Sequence, residues 1–486
     1  MDWYSAQNAW LSRLLIERGL GAIYLLAFVV ARNQFRPLLG DNGLLPVPRY
    51  LRVASFKHAP SLFQLGYSDR LFGVGAWTGI LLSAAVVAGL PDRGPLWLPI
   101  LVWLALWLMY LSIVNVGQTF YGFGWESLLL EAGFLVAFLG NGRVAPPLLV
   151  LWLLRWLVFR LEFGAGLIKL RGDPCWRHLT CLYYHHETQP MPNPLSWYFH
   201  HLPRPLHRVE VLANHLAQLV VPFGLFGPQP VADIAGTIII ITQLWLVLSG
   251  NFSWLNVLTI VVAFSALDDR LLHHLLPWVH SPVPHTTTWF EILVIGMAAL
   301  VALLSYWPIR NLISGRQRMN YSFNRLHLVN TYGAFGSVTR VRYEVAIEGT
   351  VDRDGEPRAD WREYEFKGKP TDPRRRPPQV APYHLRLDWL MWFAALSPAY
   401  AEGWLIALVR RLLEADAATL RLLRRDPFGG QPPAMVRARF YRYRFTSRLE
   451  RRQTGAWWVR TLIGEYLRPV SLAALDGDPP RLASRL

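Results

Sequence analysis

Two cysteines in 486 residues rule out a disulfide framework. Charge is scarce as well: 17% of residues are charged, against roughly 25% in an ordinary soluble domain, which argues against a plain soluble globule. The chain has no His-Glu-x-x-His, no paired Cys-x-x-Cys, no Gly-rich phosphate loop and no Gly-x-Ser-x-Gly elbow. These absences remove the motif-based cases for a zinc protease, a redox dithiol, a nucleotide site and a serine hydrolase. No nucleic-acid module is readable either, so the net charge of +16 is assigned to anionic lipid surfaces, with no nucleic-acid partner expected. No cofactor and no metal are predicted. What the chain has in excess is apolar mass: 52% hydrophobic residues, 22 Trp and a mean hydropathy of +0.22, the composition of a membrane protein with an attached polar part.

A bilayer-spanning helix needs roughly 20 mostly apolar residues, and about nine segments qualify. They are Leu14–Val30, Leu71–Leu90, Trp97–Val114, Gly124–Gly140, Pro147–Leu170, Val209–Phe226, Val231–Leu248, Phe252–Leu267 and Trp289–Trp307. The first reads as a retained anchor, because no small-residue cleavage site separates it from the polar Arg32–Arg36. The joint Ser249-Gly250-Asn251 is short enough to demand a tight hairpin. Leu195–Arg208, with Trp197, Tyr198, Phe199, His200, His201 and Arg204, suits a headgroup layer.

Beyond Trp307 the apolar runs stop. Alternation at Val338–Val351 and Val436–Phe445 predicts strands, Tyr383–Ala399 and Glu402–Leu423 read as helical or mixed, and Asp352–Pro357 and Gly368–Pro378 read as loops. The Tyr441-Arg-Tyr443-Arg stripe fits a half-buried strand better than a ligand face. The expected architecture is an α-helical polytopic membrane bundle with a C-terminal soluble α+β domain. Its parts are a bundle at 1–309 with a re-exposed loop at 170–208, a domain at 310–470 and a tail at 471–486.

Ionisable groups inside spans are expensive and mark functional or packing sites. Arg155, Glu162 and Lys169 recur every seven residues on the fifth span, which also carries Arg160, and so form one helical stripe. The stripe lines a polar cavity, or it is a ladder of buried charges joined through other spans, with Lys169 snorkelling at the interface. Glu126 and Glu131 lie on the fourth span about 140° apart, so one of them is free to meet that stripe and the other is not. Salt bridging is favoured over a catalytic carboxylate pair. His185, His186, Glu187, His200, His201, His207 and His215 are dense near an interface, but no metal-ligand spacing orders them. Cys175-x5-Cys181 leaves two readings open, a structural bridge in an oxidising compartment or two free thiols.

The most distinctive stretch leaves the fifth span at Lys169-Leu-Arg171-Gly-Asp173, passes Cys175-Trp176-Arg177, Leu179-Thr-Cys181 and His185, and continues through His186-Glu187-Thr188-Gln189-Pro190-Met191-Pro192-Asn193-Pro194. It resembles the lipase maturation factor family, multi-pass proteins of the endoplasmic reticulum membrane that help secreted lipases reach an active folded state. Matching strings recur at Trp125-Glu126-Ser-Leu-Leu-Leu-Glu131, Gly164–Lys169, Ser249-Gly-Asn251 and His327–Ser337, the last containing Asn330 and Tyr332. They continue at Tyr364-Glu-Phe366, Pro382-Tyr383-His384, Arg386-Leu-Asp388-Trp389 and Trp457–Arg460, so the likeness spans most of the chain. The resemblance implies a non-enzymatic factor embedded in lipid that serves a secreted client, by likeness a lipase.

It also implies a lumenal or periplasmic face for the loop and the C-terminal domain. Counting Lys and Arg in the loops points the other way, but long segments translocate largely regardless of charge, and the resemblance decides. Richness in Arg, Ala and Pro with compact loops looks bacterial, which would make the site of residence a bacterial inner membrane. A more distant likeness to the vitamin K-dependent carboxylase superfamily implies the alternative, a membrane enzyme holding a lipid or quinone-like cofactor in an intramembrane polar cavity. Convergence of Glu126, Glu131, Arg155 and Glu162 on a void would favour the enzyme, and mutual pairing without one the scaffold.

Overall fold

The computed structural model describes residues 4–274, 276–277, 287–352 and 360–477. Thirteen of its helices position the site: α1 (Trp10–Leu39), α2 (Asp69–Val87), α3 (Trp97–Val116), α4 (Gly124–Val136), α5 (Leu148–Arg171), α6 (Leu182–Thr188), α7 (Arg204–Leu219), α8 (Val231–Ser249), α9 (Leu255–Ala263), α10 (Thr288–Leu304), α11 (Tyr306–Ile313), α12 (Arg386–Leu396) and α13 (Leu405–Leu413). Each of the nine apolar segments falls on a helix, but the helices are of two kinds. Five are long and apolar enough to cross a membrane: α1, α2, α3, α8 and the continuous run Thr288–Ile313 formed by α10 and α11.

The other four are built differently. Helix α4 has 13 residues, about 20 Å at 1.5 Å per residue, well short of a roughly 30 Å hydrocarbon layer. It sits at the centre of the bundle against α1, α3, α5 and α9, so its surface meets protein. Helix α9 has 9 residues and is buried in the same way. Helix α5 is long enough at 24 residues but carries Arg155, Arg160 and Glu162. Helix α7 starts at Arg204, earlier than the expected Val209, and is strongly amphipathic, with Val209, Leu212 and Leu216 exposed and His207 and Val211 buried. A membrane bundle is therefore supported, whereas nine crossings is a finer statement than these helices carry.

The C-terminal part adds strands β1 (Tyr321–Ser322), β2 (Asn330–Thr331), β3 (Arg342–Thr350), β4 (Arg362–Glu363), β5 (Met435–Phe445) and β6 (Trp458–Val470). Four form one antiparallel sheet in the order β4-β3-β5-β6, with α12 packed on β3 and α13 on β5. On β5 the side chains alternate as expected: Tyr441 and Tyr443 are buried and Arg442 and Arg444 exposed. Strand β6 was not foreseen, because its register shifts against β5 and its interior is largely exposed, which erases a two-residue period. The β1–β2 hairpin, although beyond residue 310, lies on α4, α5 and α11 rather than on the sheet. Of the expected loop Asp352–Pro357, residues 353–357 lie outside the described residues, as do residues 478–486 of the expected tail. The tail's beginning forms a short helix, Leu472–Asp476, tied by Asp476 to Arg410 at 2.7 Å.

Trp197, expected in a headgroup layer, is instead buried beneath the sheet and donates its indole N–H to the Thr446 carbonyl at 2.8 Å. A side chain with one polar atom and a large apolar body is best placed where both are satisfied, and the end of β5 supplies that place.

Candidate functional site

Helix α4 carries two carboxylates, each with no solvent exposure, and the 140° between them sends them to different partners. The Oε1 of Glu126 meets Arg386 Nη1 at 2.8 Å, at the start of α12. Its Oε2 accepts from the Tyr110 hydroxyl. Arg386 also donates to the Phe120 carbonyl at 2.8 Å and stacks over the Tyr121 ring, 3.4 Å from its centroid. Gln34 of α1 closes the site from the other side. Its amide donates to the His384 carbonyl at 2.6 Å, and its oxygen accepts from the Arg386 backbone N–H at 2.9 Å. His384 stands 3.6 Å from Glu126 in an aromatic box of Phe123, Trp125, Trp254 and Trp389. Burial, and then the Arg386 charge, push the imidazole down to about 4, so it is neutral and adds no ion pair. Tyr383 accepts from Gln34 at 3.4 Å, and the Asp388 carboxylate accepts the Gly368 and Lys369 backbone N–H groups at 2.6 and 3.0 Å.

Glu131 makes the second socket. It pairs with Arg160 of α5, and its Oε2 accepts the Asn330 backbone N–H and Nδ2, both at 2.9 Å, and the Tyr332 hydroxyl at 2.7 Å. Arg160 Nη1 continues to the Asn330 carbonyl at 2.5 Å. Burial and the Glu131 carboxylate push the Tyr332 hydroxyl well above its ordinary range, so it remains a donor. The Arg155–Glu162 stripe therefore receives neither carboxylate of α4. Residues seven apart are separated by about 10 Å along a helix, so Arg155 and Glu162 do not pair directly either. Arg155 reaches the backbone carbonyls of Ser265 and Leu225, at 2.9 and 3.2 Å.

Glu162 and Lys169 are joined through amides. Lys169 Nζ donates to Asn214 Oδ1 at 2.9 Å and to Gln218 Oε1 at 2.7 Å, and Gln218 Nε2 donates to Glu162 at 3.1 Å. On its other oxygen Glu162 accepts from Gln243 at 2.6 Å, and Gln243 accepts from Asn256 at 2.7 Å. The relay borders a largely apolar cavity of about 550 Å³ between α5, α7, α8 and α9. Lys169 is thus buried, not snorkelling. The pattern is mixed: the α4 carboxylates are consumed in pairing, and Glu162 alone of the four charges lines a void. The amides Gln34, Gln218, Gln243 and Asn256 were missed in sequence because neutral polar residues inside apolar runs carry no charge signal.

The loop that follows α5 is tied to the C-terminal domain along its length. Gly172 is required where it begins, since a Cβ there would lie 2.1 Å from the Gly336 carbonyl oxygen. Asp173 binds Arg340 through both oxygens, at 2.6 and 2.7 Å, and accepts the Cys175 N–H; the Arg340 contact holds its carboxyl down at about 2. Cys175 and Cys181 are joined by a disulfide, with Cα atoms 4.9 Å apart, and Trp176 donates to the Phe335 carbonyl at 2.8 Å. Arg171 donates to the Leu312 carbonyl, while Arg177 is exposed. Arg342 of β3 gathers the carbonyls of Glu187, Gln189 and Pro190 at 3.1, 2.5 and 3.1 Å. Glu187 in turn accepts the Phe445 N–H at 2.7 Å. Gln189 and Asn193 donate to the carbonyls of Ser249 and Leu248, at 3.0 and 2.8 Å.

Asn251 completes the junction. Its amide donates to Pro192 and Pro378 carbonyls, and its oxygen accepts the Val380 and Ala381 N–H groups, both at 2.8 Å. The Ser249-Gly-Asn251 string is therefore a three-way clip and not only a hairpin.

The histidines mostly separate. His215 and His201 contact the Trp176 and Trp197 carbonyls, and His200 faces Glu187 at 3.7 Å. Burial pushes His185 down to about 4. Among the described residues, one set of possible metal-ligating groups comes together, His186, His207 and Glu210, with their donor atoms within 4.8 Å of one another.

Comparison with known proteins matches the same two parts. The model of the lipase maturation factor transmembrane domain covers residues 11–274, and that of the lipase maturation factor C-terminal domain covers 328–468. Lipase maturation factor 1 of Bos taurus is 42% identical over 97% of this chain and 91% of its own length. Lipase maturation factor 1 of Mus musculus is 42% identical over 96% and 88%, and lipase maturation factor 2 of Homo sapiens is 31% identical over 96% and 83%. No solved structure matches. These relatives give the alternative of a membrane enzyme no support. With both family models matched in order, and with a relative 42% identical over 97% of this sequence, the chain belongs to the lipase maturation factor family.

Proposed function

We propose that this protein is a membrane-anchored maturation factor that helps secreted proteins, by the names of its relatives lipases, reach their active folded state. In this reading nine helical segments anchor the chain in a bacterial inner membrane or in the endoplasmic reticulum membrane. The loop at 170–208 and the C-terminal domain are displayed together on the outer or lumenal face, and membrane lipids surround the bundle. The observation that carries it is the continuous seam from Asp173–Arg340 through Arg342 and Asn251 to Glu187–Phe445, which makes loop and domain one surface. A client requires a surface of fixed shape, and the buried hydrogen bonds of Arg342 and Asn251 supply rigidity, with the Asp173–Arg340 pair at the exposed end of the seam. The α4 carboxylates act as sockets for the domain, and no catalytic step is assigned to them. At the seam, the short helix Ser196–His200 and the helix Arg448–Thr454 present exposed Tyr198 and Leu449.

The test is photocrosslinking from Tyr198 and Leu449 in native membranes, combined with deletion of the gene and assay of secreted lipase specific activity. Secreted hydrolases among the adducts, and a loss of activity that the wild-type chain restores, support the role. Recovery of lipids alone, with secreted lipase activity unchanged by deletion, refutes it.

A further inference from the structure

His186 on α6 and His207 on α7 are 2% and 1% exposed, and none of their four ring nitrogens has a hydrogen-bond partner. Buried polar atoms are almost always paired, so four orphans in two neighbouring rings require an explanation. The rings lie 5.8 Å apart, and Glu210, one turn beyond His207, brings a carboxylate oxygen to 3.8 Å from His207 Nδ1. The other oxygen of Glu210 accepts from the Trp245 indole at 2.7 Å, which orients the carboxylate. Two imidazoles and one carboxylate are a donor set that zinc takes readily.

We infer that His186, His207 and Glu210 bind a zinc ion that staples the loop helix α6 to the bundle helix α7. Zinc bonds of about 2.1 Å set donor-to-donor edges of about 3.4 Å, so the ion draws the 4.8 Å cluster inward by roughly an ångström. His186 and Glu210 both border the 550 Å³ cavity, which leaves the fourth coordination position open to water from that side. Sequence spacing hides the set, because twenty-one residues and a change of helix separate His186 from His207.

The full chain, purified in detergent with a tag free of histidine, is loaded with zinc chloride, dialysed against metal-free buffer and assayed by mass spectrometry of the metal. About one zinc per chain is expected, falling at least about tenfold in His186→Gln and in His207→Gln, while His178→Gln, at an exposed position, keeps it. Because a ligand variant can misfold, the wild type is also melted with and without chelator. Its midpoint should fall on chelation, and that of His207→Gln should not move. Cobalt substituted for zinc should show tetrahedral d–d absorption in the wild type alone. A wild-type chain that retains no zinc, or zinc retained in both histidine variants, overturns the assignment.

Discussion

Arg386→Met tests whether the C-terminal domain is socketed on α4. The substitution keeps an unbranched apolar stem but removes the guanidinium that faces Glu126 at 2.8 Å. Both groups have no solvent exposure, so the Glu126 carboxylate is left with the Tyr110 hydroxyl and no cation. Breaking one side of a buried ion pair costs about 3–5 kcal/mol, a large share of the roughly 5–15 kcal/mol that holds a typical fold. Glu126→Leu strands the guanidinium instead and should cost a similar amount. With both replaced by apolar groups no charge is stranded, and the Tyr110 hydroxyl and the Phe120 carbonyl lack their partners, a loss of about 1–3 kcal/mol each. The double variant is therefore expected to be more stable than either single one. Pulse proteolysis across a urea series in detergent reads the three stabilities, and hydrogen exchange at 384–396 reports whether the domain lifts from the bundle. Singles within about 0.5 kcal/mol of wild type, or a double variant that loses the sum of both, would refute the socket.

Asn251→Ala removes four hydrogen bonds at the three-way clip and strands two backbone N–H groups, a loss of about 2–5 kcal/mol that should appear as faster proteolysis at 376–381. Gly172→Ala forces a Cβ against the Gly336 carbonyl and should cost about 1–3 kcal/mol, with exchange at 333–340 quickened; unchanged exchange would contradict the close approach. Reducing the Cys175–Cys181 bridge opens a small loop and should lower stability by about 2 kcal/mol, read as a melting shift that Cys175→Ser, Cys181→Ser no longer shows on adding reductant.

His384 gives a pH dependence. Its folded value is about 4 against 6.5 ordinarily, so the unfolded chain binds the proton first. Its stabilising contribution is complete above pH 6.5 and is lost as pH falls toward 4, roughly 3 kcal/mol in all at about 1.4 kcal/mol per unit. His384→Gln should show a correspondingly flatter profile, and an identical slope would exclude His384 as the source.

Much of the molecule follows from local pattern. Apolar runs place a helix at each of nine segments, the alternation at 436–445 marks the central strand, and the rarity of charge inside spans singles out Glu126, Glu131, Arg160, Glu162 and Lys169. These signals depend on solvent: burial demands apolar residues, and an exception announces itself by its charge. Partner identity leaves no such trace. Glu126 finds Arg386 across 260 positions and Asp173 finds Arg340 across 167, and no periodicity encodes contacts of that range. Crossing number is equally illegible, because α4 and α9 are as apolar as a span and are covered by protein instead of lipid. Composition alone therefore determined that this chain is a helical membrane protein with a polar domain and where its costly charges lie. Only the tertiary structure decided that Glu126 and Glu131 fasten the C-terminal part to the bundle while Glu162 and Lys169 are joined within it, since the energy of a buried ion depends on the one group brought against it and not on its neighbours in sequence.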